Sequence, residues 1–133
     1  MEDKSRELQA EIDRLSAKLG VRTMPVGLLT KDGLNIFVAE DNTYHFTFYE
    51  RGQLGFDKVG SLNDLLYWYC QSIITREASA RVGDRKDRFR YEYDWLSELD
   101  AEWAKRNVRE TADMFRRWKP QDIALLPDIG EPL

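Results

Sequence analysis

The residues of this chain that could perform acid–base, nucleophilic or metal chemistry are few. His45 is the only histidine and Cys70 is the only cysteine. Metal sites built on these residue types need several ligands at set spacings, and the sequence has no Gly-x-Ser-x-Gly elbow, Walker loop or glycine-rich dinucleotide turn. We therefore predict no catalytic residue, no metal ligand and no cofactor. We interpret His45 as a sheet-face residue and Cys70 as a small buried packing residue.

One cluster of ionisable side chains is purely acidic: it lies between positions 92 and 102 and has no base among its members. Carboxylates alone could hold Mg²⁺ or form an acid–base pair, although a solvated helix face accounts for them without chemistry. An acidic face also steers a basic protein partner, and burying several unpaired carboxylates is costly. We predict an exposed, protein-binding surface made of Glu92, Asp94, Glu98 and Glu102, together with His45 and Tyr49 from the sheet.

The main basic segment does not indicate a nucleic-acid site. Positions 76–90 hold six basic residues against three acidic ones, which favours ion pairs within the chain. The whole chain has a net charge of −4 and a pI of about 5.1, so nothing in its charge favours nucleic acid or an anionic membrane. We predict neither partner.

Length and composition indicate one globular α+β domain over residues 1–133. Hydrophobic residues make up 42% of the chain and charged residues 33%, and a chain of this length buries roughly two-thirds of its unfolded surface. A lone cysteine argues for a reducing compartment. The charged N-terminus is unlike a signal peptide, and no apolar run is long enough to cross a bilayer. We expect a cytoplasmic protein.

Periodicity predicts a helix followed by four strands. Apolar residues at helical spacing place an amphipathic helix over residues 3–19, which Gly20 ends. From residue 26 to 59 the apolar period becomes two, interrupted by turn signals at 31–33, 41–42 and 51–52. We predict a four-stranded antiparallel meander, with strands near 26–29, 34–39, 44–49 and 54–59. Helices cover one face, and the other face is partly solvated.

Three more helices are predicted after the strands, packed on one sheet face. Ser61 caps the first, with an acid in its first turn. A charged break over residues 81–87 precedes the second. Asp100 can cap the last helix, which Pro120 ends. We expect the tail over residues 121–133 to be extended.

Three ordered segments resemble the immunity protein 63 family. Tyr44–Gly52 matches a tyrosine-rich strand ending in Glu-Arg-Gly, Leu65–Trp68 matches a Leu-Leu-Tyr-Trp helix, and Leu96–Arg106 matches a leucine-rich segment leading to Trp-Ala-x-Arg. The likeness covers about residues 40–120. The chain departs from the family at Cys70–Arg76, where members have an aromatic and acidic segment, and at Trp95, where an aliphatic residue is usual.

The resemblance implies a function in toxin immunity. Genes of this family stand beside toxin genes in bacterial polymorphic-toxin systems, so the chain is expected to neutralise a cognate toxin by stoichiometric protein–protein inhibition. We interpret the signature residues Trp68, Trp103 and Arg106 as structural.

An alternative function is that of a small ligand-binding or enzymatic α+β domain. Its pocket would lie between sheet and helices and would be lined by His45, Tyr49 and Tyr69. Further catalytic groups converging on His45 would favour this alternative.

Overall fold

The structure, a computed structural model, describes residues 3–133. Within this range one helix is followed by three strands, three α-helices and a 3₁₀ helix, which confirms the α+β class. The chain divides into two compact units, an N-terminal unit that ends at Tyr69 and a C-terminal unit that begins at Cys70. None of the helices in residues 3–133 is long and apolar enough to cross a membrane.

The first helix, α1, spans Asp3–Leu19, as its apolar spacing predicts. It buries Leu8, Ile12 and Leu15. Gly20 ends the helix with a φ of 70°, a conformation in which glycine has no steric penalty. The amide of Val21 then donates to the carbonyl of Ser16 at 3.0 Å, which satisfies one of the last carbonyls of the helix.

The sheet has three antiparallel strands in the order β1-β2-β3. They are β1 at Gly33–Val38, β2 at Tyr44–Glu50 and β3 at Gln53–Gly60. One row across the sheet pairs Asn35 with Thr47 and Thr47 with Asp57, and the next pairs Phe37 with His45 and His45 with Val59. Because side chains alternate between the faces of a strand, these two rows share one face.

The opposite face of the sheet is packed. Ile36 and Phe46 are buried there, and Phe46 stacks on Phe56 with ring centroids 5.8 Å apart. Trp68, in the second turn of the next helix, lies 6.4 Å from Phe46 between ring centroids. The aromatic cluster with Trp68 does not lie on the other face, which carries Phe37, His45 and Thr47. We call this second face the open face.

The predicted fourth strand, near residues 26–29, is wrong. Gly27 adopts a φ of 86°, far from strand geometry. The side-chain amide of Gln9 on α1 accepts from the Val26 amide at 2.8 Å and donates to the Met24 carbonyl at 3.0 Å. The Gln9 side chain thus pairs the Val26 amide and the Met24 carbonyl, and the Gly27 amide donates to the Ile36 carbonyl of β1 at 2.9 Å, so these backbone groups are paired without a regular strand ladder.

Helix α2 (Leu62–Arg81) follows β3 directly. Ser61 and Asp64 form reciprocal hydrogen bonds of 3.0 Å between side chain and backbone amide, as in a capping box. A Cβ atom at Gly60 would lie 2.6 Å from the Asp64 carboxylate. Only glycine allows the strand to approach its helix so closely.

Two more helices belong to the C-terminal unit, α3 at Arg85–Leu99 and α4 at Ala101–Trp118. Asp84 caps α3 by accepting from the Asp87 amide. The carboxylate of Asp100 accepts from the first amides of α4, including that of Trp103 at 3.2 Å, which confirms the predicted cap. Phe89 and Phe115 pack edge to face between α3 and α4, with centroids 5.9 Å apart.

The start of the tail is not extended, contrary to our expectation. Pro120–Leu125 forms a 3₁₀ helix, and Asp122 within it accepts an ion-paired hydrogen bond of 2.8 Å from Arg85. The Arg85 guanidinium also lies over the Phe115 ring, 5.3 Å from its centroid. Long-range contacts of this kind are invisible in the local composition of a tail.

Candidate functional site

The open face of the sheet carries a pocket of about 340 Å³. All three strands contribute to it, and the segment 29–31 before β1 forms one wall. The lining residues are Leu29, Thr30, Lys31, Asn35, Phe37, His45, Thr47, Tyr49, Leu54 and Asp57.

The wall at residues 29–31 is fixed by Asn35 of β1. The Thr30 amide donates to the Asn35 side-chain oxygen at 2.9 Å, and the Asn35 side-chain nitrogen donates to the Thr30 carbonyl at 2.9 Å. Asn35 is buried, and these bonds satisfy its amide. The pocket is therefore preformed rather than bounded by a loose loop.

His45 is held on three sides. Its Nδ1 lies 3.0 Å from Asp57 Oδ1, and its Nε2 lies 2.8 Å from Thr43 Oγ1. The ring stacks on Phe37, with centroids 4.8 Å apart and planes 10° from parallel. Asp57, His45 and Thr43 thus follow the carboxylate–imidazole–hydroxyl order of a hydrolytic triad.

Further contacts of Thr43 argue against its activation as a nucleophile. Its hydroxyl donates to Asp41 at 2.6 Å and its amide donates to the same oxygen at 3.1 Å. These hydrogen bonds lower the pKa of Asp41, which makes this carboxylate a weak base. The hydroxyl proton is directed to Asp41 instead of His45, so the array orients the imidazole and does not prepare an attacking oxygen.

Thr47, at the centre of β2, has an unusual hydroxyl. The residue is 4% exposed, and its Oγ1 has no hydrogen-bond partner among residues 3–133. The large majority of buried side-chain polar atoms are hydrogen-bonded, and a buried hydroxyl without a partner costs about 1–3 kcal/mol. Such a group within a pocket marks a place where a binding partner can supply the missing bond.

Exposed apolar side chains surround the open face. Leu29 and Leu54 line the pocket and are 61% and 56% exposed. Val59, 49% exposed, pairs with His45 across the sheet, and Leu28 is exposed beside Leu29. Single exposed apolar residues are ordinary, but Leu29 and Leu54 at one pocket, with Val59 on the same face of the sheet, are typical of an interaction site.

The predicted acidic surface does not hold for Glu92, which is buried. Its carboxylate accepts from the Thr75 hydroxyl at 2.7 Å and is also hydrogen-bonded by Asn107. Burial raises the pKa of Glu92 despite these two bonds. One buried carboxylate with two hydrogen-bond partners avoids most of the cost that led us to place it on the surface.

The other predicted acids are exposed but do not share one helix. Asp94 pairs with Arg90 at 3.2 Å. Glu98 lies near the end of α3 and Glu102 in the first turn of α4, because Asp100 separates the two helices. All of them belong to the C-terminal unit, whereas His45 and Tyr49 belong to the N-terminal unit.

The signature residues are engaged within the protein. Trp103 is 5% exposed, Trp68 packs near Phe46, and Arg106 pairs with Glu110 at 3.2 Å. These contacts support a structural interpretation.

The pocket is not where the alternative function placed it. Tyr69 is buried and hydrogen-bonded to Ser16 at 2.6 Å, and it does not line the pocket, whereas His45 and Tyr49 do. Sequence reasoning did not single out Thr47, Asn35 or Asp57 as site residues. Alternation along β2 was the available signal for Thr47, since it lies between His45 and Tyr49. Within residues 3–133, no group of three or more His, Cys, Asp or Glu side chains could hold a metal ion.

Comparison with known proteins identifies the family. The family model described as Immunity protein 63 matches residues 40–113, more than half of the chain, and the match includes β2, β3, α2 and α3. No curated protein and no solved structure matches the chain. The family match agrees with the segments that suggested the resemblance in the sequence, and the chain belongs to the immunity protein 63 family.

Proposed function

We propose that this chain neutralises a cognate bacterial toxin by forming a stoichiometric complex with it, and that the open face is the surface in contact with the toxin. The location of this contact surface is supported by one observation, the exposed apolar side chains at a preformed pocket. Leu54 and Val59, together with His45, Thr47 and Tyr49, also lie inside the segment that matches the family.

The chemistry of the open face suits a protein partner. Stable inhibitor complexes bury about 800 Å² on each partner and depend on a few anchors in desolvated pockets, ringed by polar groups. Here Leu29 and Leu54 stand at a pocket that also contains Tyr49 and Asp57. His45 and Tyr49 remain candidate contacts on this face.

The exposed strand β3 extends the same surface. It lies at the edge of the sheet and pairs only with β2 within residues 3–133. Edge strands can pair with an extended segment of another chain. A toxin that approaches the open face from this side could contact the edge strand and the pocket together.

Cell protection tests the location of the surface. The chain is expressed with a candidate toxin taken from the genes that neighbour its own, and Leu54→Glu and Val59→Glu are compared with wild type. We expect each variant to lose protection, because a charge would be buried against the partner. Met114→Glu is the matched control, since Met114 is 45% exposed on α4, in the C-terminal unit. Full protection by both open-face variants, with folding verified by circular dichroism, would remove the open face from the proposal.

The enzymatic alternative is favoured by one observation, the convergence of Thr43 and Asp57 on His45. The stoichiometry of inhibition distinguishes it from the binding function. Purified chain is titrated into a toxin activity assay. A binding inhibitor lowers activity linearly to zero at one chain per toxin. Inactivation by a few per cent of an equivalent would instead support catalysis, and His45→Ala would then abolish it. For a binding inhibitor, His45→Ala should still inhibit with an end point of one chain per toxin, because no turnover depends on the imidazole.

A further inference from the structure

We infer that the pocket around Thr47 is an anchor site for a tyrosine side chain of the toxin. This inference rests on the proposed function, because it names the group that the open face recognises. It depends on three properties of the pocket, which are its balanced charge, its aromatic and aliphatic walls, and the unpartnered hydroxyl at its floor.

The charge of the lining favours a neutral occupant. The lining contains one lysine, Lys31, one carboxylate, Asp57, and the imidazole of His45. Asp57 already accepts from the imidazole of His45 at 3.0 Å. An occupant with a full charge would meet one attractive and one repulsive partner and would lose its own hydration. A neutral group has no such penalty.

The walls favour an aromatic ring. Leu29 and Leu54 form apolar sides, and Phe37 and Tyr49 supply aromatic surface. Aromatic rings gain from contact with aliphatic and aromatic walls, and they bury a large area with few rotatable bonds. Tyrosine and tryptophan are accordingly enriched among the anchors of protein interfaces.

The hydroxyl of Thr47 selects tyrosine among the aromatic side chains. A phenol can accept the proton of the Thr47 hydroxyl as well as donate to its oxygen, whereas an indole N–H can only donate and leaves the Thr47 proton unpaired, and a phenyl ring does neither. Beside Thr47, Tyr49 is half-buried and Asp57 is exposed, and these side chains must move for the phenol oxygen to reach the hydroxyl. A pocket that provides a hydrogen bond for a hydroxyl discriminates strongly against the analogue without one.

Two small probes test the inference without the toxin. p-Cresol reproduces the tyrosine side chain and toluene reproduces that of phenylalanine, so the pair differs by one hydroxyl. Each is titrated into the full chain while methyl NMR signals of Leu29, Leu54 and Thr47 are followed. We expect p-cresol to shift these signals and to bind about 10-fold more tightly than toluene, which corresponds to about 1.4 kcal/mol and lies within the range for one hydrogen bond.

Variants of Thr47 assign the preference to its hydroxyl. Thr47→Val keeps the shape of the side chain and should bind both probes equally, with Leu29 and Leu54 as reporters. Thr47→Ser keeps the hydroxyl and should retain most of the preference. The inference is overturned if p-cresol shifts no pocket signal, if toluene binds as tightly as p-cresol to the wild type, or if Thr47→Val keeps the 10-fold preference.

The failure of the two proposals can be told apart. If Leu54→Glu and Val59→Glu abolish protection but p-cresol does not enter the pocket, the open face binds the toxin through another anchor and the tyrosine inference is wrong. If p-cresol binds as expected but the open-face variants still protect, the pocket accepts phenols and the toxin binds elsewhere. That result overturns both the proposed surface and the tyrosine anchor.

Discussion

Replacing Thr47 by valine should make the protein more stable. Thr47 is 4% exposed and its hydroxyl has no partner among residues 3–133. Valine has nearly the same shape and prefers strand conformations. A buried hydroxyl without a hydrogen bond costs about 1–3 kcal/mol, and the substitution removes this cost without creating a cavity. We expect Thr47→Val to raise the free energy of unfolding by about 1–2 kcal/mol.

Urea and thermal unfolding measure this change. For a chain of this length, 1 kcal/mol corresponds to a shift of about 4 °C in melting temperature, so Thr47→Val should melt about 4–8 °C above the wild type. The matched control is Thr75→Val. The Thr75 hydroxyl donates to the buried carboxylate of Glu92 at 2.7 Å, so its removal should destabilise the protein by about 1–3 kcal/mol.

The two substitutions are chemically identical, and their opposite expected signs follow first from hydrogen bonding; valine also suits the strand at Thr47 better than the helix at Thr75. A Thr47→Val variant that melts below the wild type, as Thr75→Val should, would refute the reasoning, because it would mean that the Thr47 hydroxyl is satisfied in the folded protein. If the variant is more stable and also loses p-cresol selectivity, the unpartnered hydroxyl is a binding feature that lowers stability.

Three further outcomes are expected. Burial raises the pKa of Glu92, so the folded state holds a proton that the unfolded state releases near pH 4.3. The free energy of unfolding should therefore fall as the pH rises from there through the folded pKa. In urea unfolding measured across pH, Glu92→Gln should flatten this fall, and an unchanged slope would contradict the expectation. Trp103→Ala should cost about 3–5 kcal/mol in chemical unfolding, and a variant with wild-type stability but no toxin binding would make Trp103 a contact residue. If the exposed acids steer a basic toxin, reversing Glu98 and Glu102 to lysine should slow association several-fold, and raising salt should slow association of the wild type. A flat salt response in stopped-flow measurements would instead leave these acids as ordinary surface residues.

Local chemistry determined the end of α1 and the starts of α2 and α4, whereas α3 begins at Arg85, inside the break predicted over residues 81–87. A glycine after an apolar stripe ends α1, and a side-chain cap begins α2 and α4 at Ser61 and Asp100. These signals act over a few residues, through backbone amides that the cap must satisfy, so the sequence alone was sufficient to predict them.

The number of strands required the tertiary structure. Residues 26–29 have the composition of a strand, but the Val26 amide and the Met24 carbonyl are hydrogen-bonded by the side chain of Gln9 in α1. In the same way Asn35 clamps Thr30. Nothing in the local pattern indicates that a distant amide will replace a strand partner, and backbone groups accept either as long as they are paired.

The acidic segment does not form one helix face, for a related reason. Its spacing was consistent with one helix face, but Asp100 ends α3 and begins α4, and Glu92 is buried with Thr75 and Asn107 as its partners. A carboxylate can be buried where hydrogen-bond donors surround it and is otherwise exposed. The donors to Glu92 come from other helices.

The sequence predicts which site residues share a face of the sheet, but it does not predict their burial or their hydrogen bonds. Alternation along β2 places His45 and Tyr49 on one face, and Thr47 lies between them on the same face. Which face is packed depends on where Trp68 meets the sheet, and whether the Thr47 hydroxyl has a partner depends on every side chain around it. Periodicity in a strand fixes the direction of a side chain, while burial and hydrogen bonding are decided by the neighbours that the fold brings to it.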